Sequence, residues 1–175
     1  TIGSAQDLVV TGTAITVTVT ATSGQSKVFG AADPTLTYVS SDPGVTFTGA
    51  LGRASGEDVG SYAINQGNLS AEGNYVITFV PADFAISAKP ITVTVNSGQS
   101  KVFGASDPVL TYVCSDLGAS CTGALGRASG ESVGNYAINQ GGLSAGANYA
   151  LTFVPADFAI MAKPITVTAN SGLSK

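Results

Sequence analysis

The 175-residue chain has no histidine, no tryptophan, one methionine and two cysteines, and only 10% of its residues are charged. Each shortage removes a class of function. Without histidine the usual general base and the triads built on it are missing, and a zinc site would need ligands that two cysteines alone do not supply. Seven Lys and Arg against eleven Asp and Glu, scattered along the chain, leave no basic patch to neutralise a phosphate backbone, so nucleic acid is not an expected partner. No apolar run approaches the roughly 18 residues of a membrane helix, and no membrane contact is expected within the segment. The N-terminus has neither Met nor the order of a signal peptide, which reads as a mature or excised segment.

What remains is 22 glycines and an abundance of Thr, Ser, Val and Ala, with 44% hydrophobic residues. That profile is β-rich and turn-rich, and too apolar for disorder. Its organisation is a repeat. "SGQSKVFGAADPTLTYVS" from Ser23 returns as "SGQSKVFGASDPVLTYVC" from Ser97, and "SGLSK" opens again at Ser171. Lys27, Lys101 and Lys175 recur at intervals of 74 residues, and the match runs without a gap to "FAISAKP" and "FAIMAKP". The expected division is 1–14, the last strand of a preceding, diverged repeat; 15–88, repeat 1; 89–162, repeat 2; and 163–175, the first strand of a following repeat. The joints are short and stiffened by Pro90 and Pro164, which favours a rod over loosely tethered beads.

Within a repeat the hydrophobic period is two. "ITVTV" places Ile91, Val93 and Val95 on one face and Thr92 and Thr94 on the other. "LTYVC", "TGALGR", "NYAINQ", "NYALTFV" and "DFAIMA" are further short runs bounded by Gly, Pro, Asp or Asn, and no segment has helical periodicity. The expected fold class is all-β: tandem, small, immunoglobulin-like antiparallel β-sandwich repeats arranged as a rod. "EDVGSYAI" around Tyr62 and "ESVGNYAI" around Tyr136 resemble the corner at which a Tyr hydroxyl ties back to backbone, although Ser132 replaces Asp58. The alternative is that both rings fill core while their hydroxyls find some partner.

Cys114 and Cys121 stand where repeat 1 has Ser40 and Phe47, so two positions change together inside otherwise similar sequence. Their separation suits facing positions of a short hairpin, and the pair reads as a structural disulfide formed in an oxidising compartment. The other polar candidates read as architecture. Asp33-Pro34 and Asp107-Pro108 are turn formers. Glu57 and Asp58 are neighbours that would point to opposite faces. Arg53 with Glu57, and Arg127 with Glu131, suit an ion pair across a turn. An amide bond from Lys27 or Lys101 to an Asn or Asp would need a buried lysine beside an amide or carboxylate with a catalytic acid nearby, and nothing marks these lysines as buried. The sequon at Asn68 is lost at Gly142 in the second copy. No catalytic, metal-binding or cofactor-binding residue emerges, and no cofactor is expected.

The combination "SKVFGASDPVLTY", "GALGRASGESVGNYAINQGGLSAGANYALTFVPADFAI" and "KPITVTAN" resembles the MBG repeats of the Tyr-Gly-x type, found in large bacterial surface and adhesin-like proteins. Phe29 and Phe103 stand where that motif has Tyr. The resemblance implies tandem extracellular, bacterial, secreted or cell-surface β-domains and supplies no catalytic residue. The expected function is therefore a non-catalytic stalk or shaft module of an adhesin or fibre. Its partners would be neighbouring repeats of the same chain and other copies in a fibre. Two other readings stay open: an adhesin module that binds glycan or protein, and a fibre subunit that polymerises by strand exchange.

Overall fold

The computed structural model describes residues 12–169. The chain divides into two compact units between Ala88 and Lys89, and the described residues contain strands and turns but no helix. In the first unit the strands are β1 (Ile15–Ala21), β2 (Ser26–Val28), β3 (Tyr38–Ser40), β4 (Phe47–Thr48), β5 (Gly52–Arg53), β6 (Gly60–Asn65), β7 (Ser70–Ala71), β8 (Tyr75–Val80) and β9 (Asp83–Ser87). The second unit has β10 (Lys89–Val95), β11 (Ser100–Val102), β12 (Tyr112–Cys114), β13 (Gly126–Arg127), β14 (Gly134–Asn139), β15 (Tyr149–Val154) and β16 (Asp157–Met161). The counterpart of the β4–β7 ribbon survives there as a single bridge between Thr122 and Ser144.

Each unit is built from a three-stranded sheet and a four-stranded sheet. In the first these have the orders β3-β1-β8 and β2-β9-β6-β5; in the second, β12-β10-β15 and β11-β16-β14-β13. Alternation decides which side chains enter the core. β1 buries Val17, Val19 and Ala21 and turns Thr16, Thr18 and Thr20 outward, and β10 does the same with Ile91, Val93 and Val95. From the other sheet come Ile64, Phe84 and Ile86, with Leu51 and Leu69 from the loops. Phe84 and its copy Phe158 are fully buried.

The pairing departs from a purely antiparallel sandwich. β1 runs parallel to β8 with Ile15 opposite Tyr75 and Thr20 opposite Val80, and β2 runs parallel to β9. The second unit repeats both ladders. The reason lies in the short connections. β1 to β2 and β8 to β9 each cross from the three-stranded to the four-stranded sheet instead of turning back as hairpins. Two such crossings side by side in the same direction align their strands in parallel in both sheets. The first strand of each unit is thereby tied to a strand near its end.

The described part of the segment from 163 onward forms no strand, and Ile165 and Val167 are exposed where Ile91 and Val93 are buried. Of the expected N-terminal strand, residues 1–11 lie outside the described residues and 12–14 are not in a strand.

Candidate functional site

The most concentrated chemistry in each unit is a four-charge network on the core-facing side of the four-stranded sheet. Lys27 is the middle residue of β2, and its register opposite Ile86 aims it inward. Its side chain is only 4% exposed. Arg53 comes from β5, the opposite edge of the same sheet, opposite Ile64, and is 8% exposed. Two buried cations would be intolerable alone, because desolvation disfavours the charged form. Two carboxylates bridge them. Asp33, from the loop after β2, accepts from Arg53 Nε at 2.6 Å and Nη2 at 3.0 Å, and lies 2.6 Å from Lys27 Nζ. Glu57 accepts from Arg53 Nη2 at 2.5 Å and also from Lys27.

The rest of the guanidinium is satisfied locally. Arg53 Nη1 donates to the carbonyls of Ala54 at 3.0 Å and Gly56 at 2.6 Å, so the "RASGE" loop wraps around its own arginine. The guanidinium carbon lies 5.3 Å from the ring centroids of both Tyr62 and Phe84, a cation–π distance. Gly56 has φ of 139°, and a Cβ there would come within 2.2 Å of Tyr62 Cε1, so the glycine is required for the loop to lie on the ring. Tyr62 Oη donates to the Asp58 carbonyl at 2.8 Å.

The second unit reproduces this arrangement. Lys101, Asp107, Arg127 and Glu131 form the same four contacts, with Arg127 at 5.3 Å from Tyr136 and Phe158. Gly130 has φ of 143°, and Tyr136 Oη donates to the Ser132 carbonyl at 2.8 Å. The acceptor is backbone in both copies, which explains why Ser132 can replace Asp58 without loss of the bond.

The electrostatics follow from the contacts. Arg53 first, and Lys27 second, hold the Asp33 carboxyl down to about 2, and Arg127 with Lys101 does the same to Asp107. Glu57 and Glu131 are lowered chiefly by Lys27 and Lys101, and both lysines are raised above their ordinary value by Asp33 and Asp107 foremost. Amide formation between Lys27 and Asp33 would need a neutral amine and a neutral acid. The site drives both groups the other way, so it is built to hold ions.

Three readings of the sequence change here. Lys27 and Lys101 are buried, contrary to the expectation from their polar neighbours. Asp33 and Asp107 bridge the two cations as well as preceding a turn proline. The ion pairs of Arg53 with Glu57 and Arg127 with Glu131 are present, but as parts of a larger network that spans residues 30 positions apart. The missed signal was available: all four charged positions recur unchanged in both copies.

The cysteines lie elsewhere in the second unit. Cys114 ends β12, which pairs with β10, while Cys121 belongs to the loop before the Thr122 bridge, so they are not facing positions of one hairpin. The loop nevertheless brings their sulfurs to 3.0 Å as unbonded thiols, and burial first, then Cys114, pushes the Cys121 thiol up to about 11. Lys89 and Asp116 add an ion pair at 2.6 Å that Ile15 cannot make in the first unit. Asn68 sits in a turn, its Oδ1 accepting from the Ala50 amide at 2.8 Å. Phe29 packs against the core, and Phe103 is half exposed. Among the described residues no group of three His, Cys, Asp or Glu is arranged to hold a metal ion.

A family model described as the MBG domain (YGX type) matches residues 17–85 and again 91–159. No curated protein matches the chain.

Two outcomes are expected. Asp33 and Asp107 have folded-state values near 2, against about 3.9 in an unfolded chain. A depressed carboxyl stabilises the fold above its unfolded value, so stability is complete above about pH 4 and falls as pH drops toward 2. Denaturant titrations across that range check this, and a flat profile contradicts it. Gly56→Ala forces a Cβ into Tyr62 at an unfavourable φ and should destabilise its unit by more than about 1 kcal/mol, read as an earlier chemical-unfolding transition.

Proposed function

Because the chain belongs to the MBG-domain family of the YGX type, we propose that it is an extracellular, non-catalytic structural module, the stalk or shaft of a bacterial surface adhesin or fibre. The observation that carries this reading is the copying of the charge network. Each unit repeats the contacts that hold it together, contact for contact, and the groups common to both are engaged with one another instead of facing a substrate. A part whose task is length needs this kind of duplication. The residues 163–175 are proposed as the opening strand of a further repeat, and 1–14 as the end of a preceding one. Lys163 to Thr168 repeats the "KPITVT" of β10 letter for letter. Tyr62 and Tyr136 are proposed as tyrosine corners, on the strength of their bonds to carbonyls four residues upstream.

Exchange of strands between molecules is a second reading, supported by the exposure of Ile165 and Val167 in a segment whose sequence is suited to a sheet interior. Cys114 and Cys121 are proposed to close as a disulfide in an oxidising compartment. A loop of this length contributes about 2 to 3 kcal/mol in the chain-entropy account.

Small-angle scattering should show an elongated particle whose mass does not change with concentration. A compact particle argues against the stalk, and a mass that rises with concentration supports strand exchange. Thiol titration of protein purified without reductant should find no free thiol, even after unfolding. Two titratable thiols would refute the disulfide.

A further inference from the structure

The two copies of one loop are held in place by different means. In the first unit the segment from Ser40 to Phe47 has three anchors. Val45 is buried, the Phe47 ring meets Tyr38 edge-on with centroids 5.5 Å apart, and Ser40 Oγ donates to the Asp42 carbonyl at 2.9 Å while accepting from the Asp42 amide at 3.1 Å. The second unit has Ala119, Cys121 and Cys114 at these positions, and Leu117 replaces Pro43 at the tip, fully exposed. Its downstream end keeps a long hydrogen bond from Tyr112 Oη to the Cys121 carbonyl at 3.4 Å and the bridge at Thr122. In place of the lost anchors stand two half-buried thiols at the ends of the loop, their sulfurs 3.0 Å apart.

The loop between the cysteines also has a task that its first-unit copy lacks. It carries Asp116, whose Oδ1 accepts from the Gly118 amide at 2.9 Å and whose buried Oδ2 has the Lys89 ammonium, 2.6 Å away, as its counter-charge. Lys89 is the first residue of β10. Its amide donates to the Asn148 carbonyl at 3.0 Å, and it opens the parallel ladder opposite Tyr149. The same loop holds β10 again at Ser115, whose amide donates to the Thr92 carbonyl and whose Oγ accepts from the Thr92 amide, both at 2.9 Å. In the first unit Ile15 occupies the position of Lys89, so no such ion pair forms there. An ion pair with a partly exposed lysine is worth having only where its groups are already ordered, because ordering them costs entropy. The hold on Lys89 therefore depends on what fixes the loop.

We infer that this loop is a redox-operated latch on β10. With Cys114 and Cys121 joined, Asp116 is held against Lys89 and the start of the strand is pinned; with the thiols free, the loop and the strand end fray together. The inference rests on the disulfide proposed above. The step is thiol–disulfide exchange with a small-molecule disulfide. One cysteine thiolate attacks a sulfur of the reagent and expels a thiolate, and the second cysteine attacks the mixed disulfide and expels the other. The protein loses two protons and two electrons, and the reagent is released as two thiols.

The test is amide hydrogen exchange, read by NMR on the intact two-unit protein after treatment with oxidised glutathione and, separately, with dithiothreitol. Reduction should speed exchange by about tenfold or more at Lys89, Thr92 and Ser115. Ile15, Thr18 and Ser41 make the same bonds in the first unit and should not change. Asp116→Asn with the disulfide closed should exchange at Lys89 as the reduced parent does. Cys114→Ser combined with Cys121→Phe restores two of the first unit's anchors and should exchange slowly in both reagents. If that double variant fails to fold, the reduction and Asp116→Asn arms still decide. Thiols that stay free in oxidised glutathione would overturn the disulfide and the latch together. The latch alone is overturned if the disulfide forms without slowing exchange at these three amides, if the first unit responds equally, or if Asp116→Asn stays protected at Lys89.

Discussion

Two buried cations per unit set the terms for everything around them. Lys27 and Arg53 enter from opposite edges of the four-stranded sheet and are almost wholly removed from solvent. Buried and unpaired, either would be strongly destabilising, since the interior cannot replace the hydration of an ammonium or guanidinium. Asp33 and Glu57 remove that difficulty by lying between them, each touching both. The carboxylates remain partly open to water, with side-chain exposures of 40% and 67%, so they keep some hydration while neutralising the cations.

The rest of the local structure follows from that placement. A guanidinium held by two carboxylates has one nitrogen left to satisfy, and the Ala54 and Gly56 carbonyls turn inward to meet it. That curvature brings the loop backbone against the Tyr62 ring, where only glycine fits. The same ring stacks beside Arg53 and fixes the start of β6 through its hydroxyl. An inward-pointing lysine on the edge strand β2 has a further effect. Another chain pairing with that edge would disturb a charge that has no other place to go, which discourages sheet-to-sheet aggregation where the ladder is open.

The strand content was legible because alternation is a local property. Val17, Val19 and Ala21, or Ile91, Val93 and Val95, declare their buried face in five letters. Alternation names a face but not a neighbour, so the parallel pairing of β1 with β8 could not be read from it. The division into repeats came from self-similarity, which is independent of any structural rule. The charge network was hidden by its own context. Lys27 follows a polar turn and Asp33 precedes Pro34, and both features have sufficient local explanations. The cysteines show the opposite case: their joint replacement of Ser40 and Phe47 pointed to proximity, although the hairpin imagined for them is absent.

The two copies also show which parts of this small fold can vary. The four charges, the glycine beside the tyrosine and the buried phenylalanine are the same in both, whereas Val45, Phe47 and Thr35 give way to Ala119, Cys121 and Val109. The contrast has a physical basis. Any one member of the charge network is in contact with two others, so its loss upsets the charge balance around its remaining partners, and a change there is coupled to several residues at once. Phe47 is only partly buried at the margin of the core. Variation also reaches buried positions, Val17 becoming Ile91 and Ala21 becoming Val95, but there one aliphatic side chain replaces another, whereas the charge network admits no exchange.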